Sequence, residues 1–108
     1  MENQHRKISG YRELDQTEID LMNKVKALGP QLDNLLEEIK LYLLNQQDEA
    51  AKRCQPGYEG PDNIKKIAYE LLDRHANATP QRFVSLAKTE FQTGLMYLTR
   101  AVAQPTFF

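Results

Sequence analysis

Tyr11 stands among cations in HRKISGYRELD, with Arg6, Lys7 and Arg12 close to it in sequence. An aromatic face set among fixed positive charges has the parts that hold a nucleotide. The ring offers a stacking surface of roughly 1–3 kcal/mol per base, and the cations offer partners for phosphate. The same tyrosine would equally serve as an apolar staple between an N-terminal arm and the first helix. Lys24 and Lys26 follow on that helix. Their separation puts them on different faces, so a single pocket takes at most one of them. A second group, Arg82, Ser85, Leu86 and Thr89, shares one side of a helix, with each later member three, four or seven residues beyond Arg82. Its mixture of charge, hydroxyl and apolar surface suits a polar ligand or an ordinary solvated face. Lys88 and Gln92 extend the polar part to a neighbouring face, and Arg100 lies a turn or more further on.

The chemistry that would make an enzyme is missing. A nucleophilic hydrolase needs a nucleophile, a base and an orienting group, and neither His5 nor His75 sits in a recognisable partner motif. Cys54, the single cysteine, follows Lys52 and Arg53 and reads as a loop residue with no catalytic role. It excludes an internal disulfide and agrees with a reducing compartment. No Glu-x-x-His pair suited to a di-metal bundle occurs, and no glycine-rich phosphate loop, so neither metal nor cofactor is expected. Asn77-Ala78-Thr79 matches a glycosylation acceptor by coincidence in a chain expected to be cytosolic.

At 108 residues the chain predicts one domain, because 41% hydrophobic residues without tryptophan leave no second core. The formal net charge of −1 lacks the electrostatic footprint of a duplex nucleic acid binder, so a bound anion should be small. The apolar runs are too short for a spanning helix and MENQHRK is polar, so neither a membrane segment nor a secretory signal is read.

Helices must position these residues. Asp15 and Glu18 fit a capping box at the start of a first long helix. Ile19, Met22, Val25, Leu28, Leu32, Leu35, Leu36, Ile39 and Leu43 then recur in steps of three and four, the period of an amphipathic helix. Gly29-Pro30 predicts a kink or a short break within it, since proline removes a hydrogen bond and crowds the carbonyl of Lys26. The segment CQPGYEGPD predicts a loop over about residues 54–62, after which Asp62 would cap a return helix carrying Ile64, Ile67, Ala68, Leu71 and Leu72. Ala76-Asn77-Ala78 ends or disturbs that helix, and Thr79-Pro80 predicts a restart with threonine as N-cap and proline at the first helical position. Phe83, Ala87, Phe91, Leu95, Leu98 and Val102 mark the apolar face of the last helix, which should stop near Gln104-Pro105. The expected fold is all-α. An arm or short helix over about 1–14 leads into a long antiparallel hairpin whose helical arms span about 15–53 and 62–104. Two long helices cannot enclose a core alone, so a symmetric homo-oligomer is expected. The apolar Thr106-Phe107-Phe108 tail either joins that assembly or folds back on its own chain.

The pieces GYREL, EIDLMN, KTEFQTG and RAVAQP resemble the phage anti-CBASS sponges, which sequester the cyclic oligonucleotide signals of bacterial immune systems. The resemblance covers about residues 5–28 and 82–108. It implies a homohexamer in the cytoplasm of an infected bacterial host that binds cyclic dinucleotides such as cyclic GMP-AMP without cleaving them. It further implies that Tyr11 stacks on a base, with Arg12 beside it, and that Lys26 meets phosphate. A separate pocket for a cyclic trinucleotide such as cyclic tri-adenylate would fall at Arg82, Leu86 and Thr89, with Ser85 on the same face. Dihedral symmetry suits both ligands, because a hexamer of that kind has two-fold and three-fold axes. The chain departs from the family pattern at Pro30 and in a long central segment, about 44–80, read as an insertion. A competing reading makes the protein a helical adaptor that binds a host protein through Phe107-Phe108.

Overall fold

A computed structural model describes residues 13–107; Tyr11, Arg12, the preceding arm and Phe108 lie outside the described residues. Within them the chain forms α1 (Gln16–Arg53), α2 (Asp62–Ala78) and α3 (Pro80–Ala103), with no strand. The capping box is present. The Asp15 N–H donates to Glu18 Oε1 at 2.9 Å and the Glu18 N–H donates to Asp15 Oδ1 at 2.8 Å, satisfying two donors at the helix start.

The expected break at Gly29-Pro30 does not occur, because α1 runs unbroken through Pro30. Proline deprives only the Lys26 carbonyl of its helical donor, and Lys26 and Pro30 are both exposed, so water can serve that carbonyl instead. Asp62 also differs from expectation. Pro61 occupies the N-cap position with no side-chain cap bond, and its carbonyl accepts from Ile64 and Lys65. Asp62 is the first helical residue, where its charge complements the helix dipole.

Thr79 is the single residue between α2 and α3, and it is not a side-chain N-cap. It adopts the left-handed conformation at φ 45° and ψ 58°, its N–H donating to the His75 carbonyl while its own carbonyl accepts from Arg82. A capping hydroxyl needs extended backbone to reach the next turn, and this backbone lacks it. Proline does take the first position of α3. Gln104 closes α3 in the same left-handed way, at φ 53°, with its N–H on the Arg100 carbonyl at 2.8 Å. Pro105 follows, and it cannot continue a helix.

The described chain forms two compact units, Asn34–Lys88 and the remainder, 13–33 with 89–107. In the Asn34–Lys88 unit, α1 and α2 run antiparallel. His75 pairs with Gln46 at 2.8 Å, and Tyr69 Oη donates to the Cys54 carbonyl at 3.4 Å. Farther along, Gln81 Nε2 on α3 donates to the Lys40 carbonyl at 3.1 Å. Leu36, Ala50, Ala68 and His75 are buried here. Alanine at two of these positions leaves room for close helix approach. Gln46 Oε1 can only accept, so His75 Nε2 carries the proton and is satisfied inside the unit. In the loop before α2, Tyr58 lies over Gly60, where any Cβ would collide with its ring.

Several apolar positions read from periodicity are exposed, among them Leu28, Leu35, Ile39, Ile67, Phe83, Phe91 and Leu98. Periodicity identifies one side of a helix but not whether one chain supplies enough neighbours to cover it.

Candidate functional site

The terminal unit, 13–33 with 89–107, holds a groove of about 630 Å³ between α1 and α3. From α1 come Val25, Lys26 and Gly29, one helical turn apart. From α3 come Thr93, Tyr97 and Arg100, spaced so that they share a face. Gly29 faces Leu95, and a Cβ there would meet that side chain at 3.7 Å, an ordinary contact, so the spacing of the helices does not depend on glycine. Pro105 completes the rim beyond the left-handed turn at Gln104. A volume of this size lies within the range of sites for nucleotide-sized ligands.

The charge of the groove is one-sided. Lys26 and Arg100 line it and no described lining residue is acidic, although the chain carries 15 acidic residues to 14 basic ones. Among the described residues, the Lys26 ammonium has neither an ion pair nor a hydrogen bond, and Arg100 has no carboxylate partner. Arg100 Nη2 donates instead to the Phe107 carbonyl at 3.0 Å, which fixes the guanidinium without neutralising it. Tyr97 adds a largely exposed aromatic ring, 68% accessible.

Lys26 is therefore placed in a cationic groove. Tyr11 and Arg12, its proposed companions, lie outside the described residues. Arg82, Ser85 and Leu86 belong to the other unit and Thr89 to the terminal one, away from the groove lining. Arg82 lines a hollow of about 290 Å³ with His75 and Thr79, and its guanidinium stands 5.3 Å from the centre of the Phe83 ring. Leu86 is exposed, while Ser85 and Thr89 both have partners.

Sequence reasoning missed Arg100, Tyr97 and Thr93 as groove residues. The signal was weak, because 74–89, with Arg74, Arg82 and Lys88, is as free of acidic residues as the two stretches concerned, 21–32 with Lys24 and Lys26 and 91–108 with Arg100. Antiparallel pairing of α1 with α3 brings the two stretches together. Among the described residues, no group of three or more His, Cys, Asp or Glu could hold a metal ion. No described helix is long and apolar enough to cross a membrane.

Comparison with known proteins places these observations in a family. The chain is 42% identical over 105 residues, 97% of each chain, to Anti-CBASS protein 2 of Pseudomonas phage JBD67. Coverage that complete in both directions corrects the reading of residues 44–80 as an insertion, at least relative to this protein. The family model for the Acb2/Tad1 hairpin domain matches residues 5–103, so the chain belongs to the Acb2/Tad1 hairpin-domain family.

Proposed function

We propose that this protein is a non-enzymatic sponge that sequesters cyclic dinucleotides and so antagonises CBASS defence in the cytoplasm of an infected bacterium. The observation that carries the reading is the groove with an unpaired Lys26 and no acidic residue in its described lining, found in a chain similar to an anti-CBASS protein. A cyclic dinucleotide brings two phosphates and two bases. Lys26 meets a phosphate, and Tyr11 supplies a stacking face with Arg12 adding charge beside it.

The burial pattern supports assembly. The only buried hydrophobic residues described are Leu36, Ala50 and Ala68, against sixteen large apolar residues that are exposed. Copies of the same chain are the proposed cover, arranged as a homohexamer. A two-fold contact lets each of two protomers bring one Lys26 to a nearly two-fold ligand. Nanomolar binding requires about 12 kcal/mol. Two stacks of roughly 1–3 kcal/mol and two charge-assisted contacts of roughly 1.5–3 kcal/mol reach it only near their upper limits, so a preorganised pocket must contribute.

A second, separate pocket for cyclic trinucleotides such as cyclic tri-adenylate is proposed at Arg82, Ser85, Leu86 and Thr89. Native mass spectrometry with cyclic GMP-AMP and cyclic tri-adenylate together tests both sites. The expected spectrum shows a hexamer carrying both ligands, with Arg82→Ala losing only the trinucleotide. Loss of both ligands in that variant would remove the separate-site assignment, and a monomer without ligand would remove the sponge.

A further inference from the structure

We propose that Arg100 is a second anion-binding group of the Lys26 groove, preset by the C-terminal tail. The ligand class is one with phosphate oxygens; only the cyclic dinucleotide identity of that ligand rests on the function proposed above. Three observations carry the inference. Arg100 and Lys26 line one groove with no carboxylate among its described residues, so two positive charges stand ready to share an anion. Arg100 spends one N–H on a neutral carbonyl, that of Phe107, and retains its charge and its remaining donors. The turn that brings this carbonyl round is held by its own hydrogen bond. Gln104 takes a left-handed conformation that a residue with a Cβ seldom adopts, its N–H bonds back to the Arg100 carbonyl, and Pro105 sits on the groove rim.

Residue 100 is thus bonded to the tail through both its backbone and its side chain. A guanidinium on a free stem would lose rotamer freedom on meeting a phosphate, whereas one already held by Phe107 loses less. Guanidinium geometry also matters. Its planar fork can engage two oxygens of one phosphate, while Lys26 acts as a point charge. The division of labour is then specific: Lys26 supplies charge on α1, and Arg100 supplies orientation on α3.

The test follows arginine side-chain Nε resonances by NMR in the full chain, titrated first with sodium pyrophosphate and then with cyclic GMP-AMP. Calorimetric titration of Arg100→Gln and Arg100→Lys, with molecular mass from light scattering, accompanies it. The Arg100 resonance should shift saturably with both ligands. Arg100→Gln should weaken cyclic GMP-AMP binding about 10- to 100-fold at unchanged mass, and Arg100→Lys should recover part of the loss. An Arg100 resonance unmoved at saturating ligand overturns the proposal, and so does a Gln variant that binds within about twofold of the parent. The wild-type titration stands even if the Gln variant fails to fold. A saturable pyrophosphate response without cyclic GMP-AMP binding upholds the anion site and removes the sponge reading instead. A silent Arg100 beside tight, Lys26-dependent cyclic GMP-AMP binding does the reverse.

Discussion

In the Asn34–Lys88 unit, Leu36, two alanines and a histidine paired with Gln46 are buried, whereas the terminal unit buries no described residue and lines its groove with two cations. The difference separates two jobs. The Asn34–Lys88 unit meets its polar needs internally, with His75 on Gln46 and Gln81 on a backbone carbonyl. The terminal unit leaves Lys26 without a partner; apolar side chains are exposed in both units, among them Met96 and Tyr97 here and Leu41 and Tyr42 in the other. On the function proposed above, an anion meets the first, and further copies of the chain cover the apolar surface of both units.

The contrast is broken most severely at Lys26. Lys26→Ala should weaken cyclic dinucleotide binding by about 100-fold or more, because a two-fold site loses a charge-assisted contact from each protomer. Tyr11→Ala should weaken it about 10- to 100-fold through lost stacking. Calorimetry measures both, and unchanged binding by either would remove that residue from the site. Thermal denaturation of both should match the parent.

The Asn34–Lys88 unit should respond in the opposite sense. Ala68→Leu forces three extra heavy atoms into a closely packed helix contact, with an expected loss of about 1–3 kcal/mol in stability and ligand affinity per folded protein unchanged. Chemical denaturation reads it, and a variant as stable as the parent would mean that the contact is loose. His75→Ala leaves the Gln46 oxygen without its donor, with a loss of about 1–2 kcal/mol expected by the same measurement. The smallest effect should be a gain. Thr79→Gly relieves a β-branched residue at φ 45°, raising stability by about 0.5–1 kcal/mol after the added chain entropy is set against it. A loss in that variant would show that the threonine side chain contributes contacts that outweigh the strain.

The helices were legible where local chemistry decides them. Asp15 and Glu18 announced the start of α1, and Pro80 and Pro105 announced the start of α3 and the segment beyond its end. Legibility failed where two local signals compete, and again where a distant partner decides. Pro30 suggested a break, yet the flanking turns of α1 carry the helix through it. Thr79 and Asp62 have capping side chains, yet a left-handed backbone at one and the position of Pro61 at the other leave the capping role to backbone groups. Lys26 was marked by resemblance, whereas Arg100 emerged only when α3 was laid against α1. A lone arginine 74 positions from a lone lysine gives no local sign that they share a groove.

The most direct test of the account is a calorimetric titration of the purified protein with cyclic GMP-AMP, followed by denaturation and chromatography of the released ligand. The account predicts tight binding at one ligand per two protomers and full recovery of intact cyclic GMP-AMP. Absence of binding to this and other cyclic dinucleotides, or recovery of a linearised product, would contradict it.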